Sequence, residues 1–566
     1  MKGFTYYTPT EVVFGRNAEE QVAPLLKKYG GTRVLVVFGG GSVRRSGLLD
    51  RVCGQLAQEG IDYLPFGGVV PNPRLGMARE GIDLCRKEGI DFLLAVGGGS
   101  VIDMAKAIAY GVPYAGDVWD FFLGRAKPQA ALPVGCVLTF PASGSEMSDS
   151  CVITNEADLD KRGVSSPFGR ARFATLNPEL SYTLPPYQTA AGVTDIMMHT
   201  MERYFSREDD MDLTDGIAEA LLRSMKENVF KVLADPQDYR ARAQIMWGGS
   251  LSHNGLTECG LVRDWSCHKL EHELSGVFDV THGAGLAAIW PAWARYVYAK
   301  HIARFAQFAV NVMGVQPDAS DPAVTAAEGI RAFERFLREI GMPVNLHELL
   351  GREVTEAEID DLAGRCSRGG TFTIGTLESL ARSDMAAIYR LARETRNRGA
   401  PLQRIDAGAD EVDEGFRGDF HLETAHAGAD VDGIVQQGRF VDEGGEGLFH
   451  ADGGAAAADI TRFGQEFLHV EHRAGLVPGD PGRHLQVHLH VSRHDADEEA
   501  VPVSPEDQCL EYPFDGLAQL LRHMVCRQVR FIHLVRHQLK RDPRRLDKPG
   551  GVGFGDMGGG GQAGFP

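Results

Sequence analysis

The sequence predicts an α/β domain built on a parallel sheet, then an all-helical domain, then a C-terminal tail that is disordered or irregular. Three observations carry this reading. Over residues 1–185, short apolar runs rich in Val, Ile and Leu alternate with stretches of helical period, the pattern of strands buried on both faces and covered by helices. Strand-like runs then cease, and over residues 186–392 long amphipathic segments such as 188–205, 213–234 and 324–340 take over. Beyond residue 393 neither period persists. Gly, Asp, Arg and His become abundant there, twelve of the 19 histidines fall in it, and Lys540 and Lys548 are its only lysines.

Whole-chain properties agree with several structural units and exclude some functions. A chain of 566 residues exceeds what one hydrophobic core usually supports. Its net charge of −19 argues against nucleic acid as a partner, because polyanion binders carry a basic excess. The start lacks the pattern of a secretory signal, and no apolar run approaches the ~18 residues of a membrane span. The 9 cysteines are scattered without a CxxC pair, which reads as reduced thiols. A cytoplasmic protein without a membrane partner is the expectation. The composition of residues 393–566 also matches GC-rich sequence read out of frame, so that segment is expected to add no folded domain.

In the first domain, Arg33–Phe38 runs into Gly39, Gly40, Gly41 and Ser42. Asp91–Val96 runs into Gly97, Gly98, Gly99 and Ser100, with helical spacing over Val101–Ile108, and Pro133–Phe140 leads into a third small-residue turn. A strand, a glycine turn and a helix let backbone N–H groups approach a pyrophosphate at a helix N-terminus, so these segments predict one dinucleotide-binding unit, with Gly97–Ser100 the best placed turn. Asp103, one turn into the helix, reads equally as a cofactor-side residue or as a carboxylate stabilised by the helix dipole. The first turn carries no acid to bind a ribose 2′-hydroxyl, but it has Ser42, Arg44 and Arg45. That favours NADP(H) over NAD(H), against the alternative that both arginines merely face solvent.

The second domain holds the metal constellation. Asp195 and His199 stand four apart, on one face of a helix; alone, such a pair is often only hydrogen-bonded. A second block, from Asp264 to Gly285, carries His268, His272 and His282 within fifteen residues, although residues 1–392 contain only seven histidines. Three imidazoles and one carboxylate suit Fe(II), Zn(II) or Mn(II) with a position left for a substrate oxygen, and ligand type does not choose among them. One of the clustered histidines is left over for the surroundings of the ion. The competing reading is a polar helix face whose histidines are each satisfied by hydrogen bonds.

Taken in order, Pro71–Pro73, Gly97–Lys106, Ser143–Met147, Asn177–Pro178, Ala191–Asp195 with His199, and Asp264–Gly285 resemble the iron-containing alcohol dehydrogenase family, most closely its butanol dehydrogenase type, over residues 1–390. The resemblance implies a dehydroquinate synthase-like fold and a homodimer. It implies Asp195, His199, His268 and His282 as ligands of Fe(II), with Zn(II) or Mn(II) as alternatives, and His272 as a further histidine near the nicotinamide. Thr139, Ser143, Ser145, Ser148 and Lys161 resemble positions lining the cofactor. The resemblance implies a small primary alcohol or aldehyde as substrate: the alcohol hydroxyl would acidify on the ion, its carbon would pass hydride to the nicotinamide, and the proton would move through His272 or water. Glycerol dehydrogenase and dehydroquinate synthase types share this architecture, but the apolar Phe121–Leu123 and Trp290–Trp293 segments favour an aliphatic substrate. A non-catalytic dinucleotide-binding protein would have no use for an Asp and three His.

Overall fold

The computed structural model describes residues 1–394 and the strands Arg439–Asp442, Gly445–Leu448, Ala457–Phe463, Glu466–Leu476, His484–Asp495 and Leu510–Pro513. Those strands form an antiparallel pair and a four-stranded antiparallel sheet. The disorder expected for the rest of 393–566 lies outside the described residues. Residues 1–411 form one compact unit and 412–566 another; the first carries the site.

Strands β1 (Glu11–Phe14), β2 (Arg33–Gly39), β3 (Asp62–Val69), β4 (Phe92–Gly98), β5 (Val134–Phe140) and β8 (Phe173–Leu176) form one sheet in the order β1-β8-β5-β4-β2-β3, parallel throughout. A hairpin of β6 (Ser150–Asn155) and β7 (Asp160–Ser165) stands apart from it. Side chains alternate faces along each strand. Leu35, Val37, Leu93 and Ala95 pack with α4 (Leu75–Glu88) and α5 (Gly99–Gly111). Val34, Val36, Leu94 and Val96 pack with α1 (Val22–Lys28) and α3 (Leu48–Gln58), which follows the short α2 (Ser42–Arg45). Burial on both faces is why these strands read as unbroken apolar runs.

The topology locates the cofactor cleft. From β2 the chain moves outward to β3, then crosses back over β2 to β4 on the other side. The order therefore reverses between β2 and β4, and open α/β sheets bind ligands in the crevice at the carboxyl ends of such strands. Gly39 ends β2 and Gly98 ends β4, so both glycine turns flank that crevice. Their lack of a side chain is required by packing. A Cβ on Gly97 would lie 2.6 Å from Val101, and one on Gly98 2.9 Å from Phe140.

The helical half contains α7 (Pro186–Tyr204), α8 (Asp212–Ala234), α9 (Tyr239–His253), α10 (Ser266–Phe278), α11 (His282–Val297), α12 (Ile302–Phe308), α13 (Pro322–Glu339), α14 (Leu346–Leu350), α15 (Glu356–Cys366) and α16 (Arg382–Arg393), after α6 (Trp119–Phe122) in the first half. Proline occupies the first position of α7, where its missing N–H costs nothing. Nearly every side chain of α7 is buried, which makes it the central rod of this half. The segments expected to favour an aliphatic substrate prove to be core. Trp290 and Trp293 are 1% and 2% exposed and pack against Phe205, while Phe121 and Phe122 are buried beneath the sheet. They lend no support to a substrate assignment.

Candidate active site

Helix α7 presents Asp195, His199 and Glu202 on one face; α10 presents His268 and His272; and His282 is the first residue of α11. Ligand atoms of Asp195, His268 and His282 lie within 4.8 Å of one another. The Nε2 atoms of His268 and His282 are 3.7 and 3.6 Å from Asp195 Oδ1. That is too far for a hydrogen bond and close to the roughly 3.4 Å separating tetrahedral ligands with ~2.1 Å bonds to a shared ion. His199 stands just outside this triad, with its ring 4.5 Å from that of His268.

Each of the three rings is held by its Nδ1, which leaves Nε2 as the lone-pair donor. His199 Nδ1 donates to the Asp195 carbonyl at 2.9 Å, His268 Nδ1 to Glu202 Oε1 at 2.9 Å, and His282 Nδ1 to Glu271. Carboxylates and carbonyls behind ligating imidazoles fix ring orientation and raise basicity. Asp195 Oδ1 and His268 Nε2 are buried without a hydrogen-bond partner among the described residues. Buried polar atoms are ordinarily satisfied, so this pair fits a divalent ion. Glu271, His272 and His282 also converge, but Glu271 already accepts from His282, Ser275 and Lys161 and serves as a support.

The electrostatics fit a cation. Burial alone would raise the Asp195 pKa, yet His199, His282 and His268 hold it well below the usual carboxylate range. Burial drops His199 to about 4. His268, although buried, is pushed up to about 9 by the facing carboxylates of Asp195 and Glu202; the negative field that retains a proton there is the field that receives a metal ion. Burial, followed by the charge of Lys161 and the neighbouring rings, holds His272 well below its ordinary value. Its half-buried ring, 5.8 Å from that of His282, makes no hydrogen bond to any described residue. His282 is the open side of the cluster, 25% exposed against 5% for His199 and His268.

Two residues that the sequence did not single out surround the cluster. Trp265, at a left-handed φ of 62°, packs edge-on against His199 and His268; a bulky residue held there marks a locally imposed geometry. His253 lies 4.2 Å from His199, ring to ring, and donates from Nδ1 to the Ser143 carbonyl at 2.8 Å. Ser143 in turn packs on Gly99. A continuous path therefore joins the glycine turn of α5 to the histidine cluster.

The residues expected along the cofactor divide into three groups. Ser42 and Thr139 line a cavity of about 990 Å³ beside β2 and β5. Gly97–Ser100, with Ser143, frame the start of α5. Asp103, Ser145 and Ser148 instead tie down the loop after β5: Ser145 Oγ donates to Asp103 at 2.5 Å, Val152 N donates to the same carboxylate, and buried Lys106 donates to the carbonyls of Ser145, Ser148 and Ser150. Lys161, on β7, faces Glu271 and His282 Nδ1 at 3.5 and 3.3 Å, beside the histidine cluster.

Residues 9–178 match the iron-containing alcohol dehydrogenase family, and residues 189–393 match the C-terminal part of the Fe-containing alcohol dehydrogenase family. The chain belongs to the iron-containing alcohol dehydrogenase family. Among its relatives in that family, the probable NADH-dependent butanol dehydrogenase 2 of Bacillus subtilis is 40% identical over 391 residues, 69% of this chain and 99% of the relative. The NADPH-dependent aldehyde reductase YqhD of Escherichia coli is 35% identical over 398 residues, 69% of this chain and all of the relative. The crystal structure of NADH-dependent butanol dehydrogenase A from Thermotoga maritima superposes with a TM-score of 0.67 at 36% identity, covering 70% of this chain and 99% of that one. The parallel sheet followed by a helical half is thus the fold of this alcohol dehydrogenase family. No described helix is long and apolar enough to cross a membrane.

Proposed function

We propose that this protein is a metal-dependent oxidoreductase that interconverts a primary aliphatic alcohol and its aldehyde with a nicotinamide dinucleotide. Asp195, His199, His268 and His282 would hold Fe(II), or Zn(II) or Mn(II) in its place. The observation that carries the reading is the convergence of the His268 and His282 Nε2 atoms on Asp195, with Asp195 Oδ1 and His268 Nε2 buried and without a hydrogen bond among the described residues. When bound, the ion supplies an electrophile that acidifies an alcohol or polarises an aldehyde, and the nicotinamide supplies or accepts hydride. The chain's own residues do the rest. Glu202 and Glu271 hold two imidazoles in the required tautomer. The backbone of Gly97–Ser100 presents N–H groups to a pyrophosphate, and neutral His272 accepts the alcohol proton or returns it to the product.

The test is metal analysis together with NADPH and NADH oxidation on C2 to C8 aldehydes, using protein reconstituted separately with iron and zinc. One ion per chain and aldehyde-dependent oxidation are expected. Protein that binds neither ion and oxidises neither cofactor would refute the reading. His272→Ala should retain its ion and lose ~10²–10⁴-fold in kcat, the range for a general acid–base group; loss of the ion in that variant would contradict the division of roles.

NADP(H) is the favoured cofactor. No acid ends β2, and the Arg45 guanidinium leans over the first turn, so that a Cβ on Gly41 would meet it at 2.6 Å. Of the acids near the cavity, Glu19 is engaged by Asn177 and Arg51. Arg45→Ala should lower the NADPH:NADH ratio of kcat/KM about tenfold, the worth of one charge-assisted hydrogen bond; an unchanged ratio argues for solvent-facing arginines. The relatives include proteins named for either cofactor, so the ratio is the informative measurement. The described cysteines are unpaired, in keeping with a cytoplasmic protein, and the homodimer expected of the family is open to sizing in solution.

A further inference from the structure

We infer that Asn72 and Asp279 form a latch by which the cofactor-binding half of the chain fixes the position of His282. The inference rests on the metal reading above. Asp279 closes α10, which carries His268; Val280 and Thr281 follow; and His282 begins α11. This elbow is gripped from across the cleft. Asn72 Nδ2 donates to Asp279 Oδ1 at 2.9 Å and to the Val280 carbonyl at 3.4 Å, and Arg74 donates to the other Asp279 oxygen at 2.9 Å. Asn72 lies in the loop between β3 and α4, at the same carboxyl edge of the sheet as the two glycine turns.

Two features mark the contact as more than a surface pairing. Asn72 and Asp279 both adopt left-handed backbone, at φ 53° and 52°, where non-glycine residues are uncommon and Asn and Asp are the cheapest. Two such residues that bond each other across a cleft fix the direction in which the elbow leaves α10. Asn72 is also buried, 6% exposed, so its amide depends on Asp279 and Val280. The Arg74 pair is different, because the Asp279 side chain is 59% exposed and solvent screens most of such a bond. His282 is more exposed than His199 and His268 and sits at the start of its helix, so it is the ligand most in need of an external anchor.

The test is the rate at which metal-loaded protein surrenders its ion to excess chelator, measured with and without NADP(H). Asn72→Gly and Asp279→Gly keep the left-handed backbone accessible and remove only the side-chain bonds. Both should release metal at least ~10-fold faster than the parent, as loss of a supporting partner does. Asp279→Asn, which keeps the acceptor oxygen, should stay near the parent rate, and Arg74→Ala within about twofold. If one glycine variant fails to fold, the other decides. A parent protein that binds no ion overturns the metal reading and the latch with it; a parent that holds its ion no longer than folded glycine variants overturns the latch alone.

Discussion

Replacement of His268 by Ala is expected to abolish metal loading and activity together. His268 Nε2, like Asp195 Oδ1 opposite it, is buried without a hydrogen-bond partner among the described residues, and its Nδ1 is fixed by Glu202. The ring therefore sits ready to bind an ion, at no cost in reorganisation when the ion arrives. Its removal leaves Asp195 with one imidazole fewer and Glu202 with the backbone N–H of residue 268 but no imidazole. Occupancy should fall from about one ion per chain to less than a tenth. Because an ion that polarises an oxygen lowers the barrier by several kcal/mol, kcat/KM should fall by roughly three powers of ten or more. Metal content and turnover would be measured on the same preparation, with cofactor binding followed by quenching of intrinsic fluorescence. Retained cofactor binding shows that the fold survived. Normal metal content in His268→Ala would remove this histidine from the ligand set.

How much of this was legible beforehand depended on whether a residue's role is local. Asp195 and His199 stood out because four-residue spacing on a helix brings two side chains together whatever the rest of the fold does. His268, His272 and His282 stood out because histidines are scarce in residues 1–392 and three crowd one segment. Glu202 and Glu271 gave no such mark. Each is one carboxylate among many on a polar helix, and its role exists only once α7, α10 and α11 pack. A signal was present, since Glu202 falls three residues after His199 and Glu271 three after His268, on the same helical faces as the ligands. His253, Asn72 and Asp279 bond partners 110 to 208 residues away in sequence, beyond the reach of any local pattern.

Sheet strands show the same division. The strands β2, β4 and β5 are buried on both faces and read clearly. By contrast, β1 and β8 span four residues each, and the edge strand β3 carries Pro65, Gly67 and Gly68, residues that demote a strand pattern. Aromatic segments are ambiguous for a related reason: Trp290 and Trp293 have the same composition whether they line a pocket or fill a core, and only their packing on Phe305 and Phe308 of α12 and Phe333 of α13 decides.

Substitution of Gly283 by Ala should damage both stability and activity, although alanine ordinarily favours a helix. Gly283 follows His282 in the first turn of α11, where that helix crosses α7. A Cβ there would lie 2.0 Å from the Ala191 carbonyl oxygen, a backbone atom that no rotamer change can move aside. The helices must separate, and forcing a methyl into such a contact costs roughly 2–3 kcal/mol, against a gain of about 1 kcal/mol from the propensity of alanine over glycine. A net loss in Tm is expected. Function should suffer more than stability, because Ala191 is one turn before Asp195, and the helices that part are those that hold Asp195 and His282 3.6 Å apart. A displacement near 1 Å at a reacting centre costs on the order of 10²-fold, so kcat/KM should fall by about that factor, with weakened metal retention. The comparison that isolates this effect is Gly216→Ala in α8, where a Cβ meets nothing within 4 Å and where stability should rise slightly with activity unchanged. A Gly283→Ala protein with parental metal affinity and kcat/KM would mean that α11 can slide without moving His282, and that the close approach of the two helices serves packing alone.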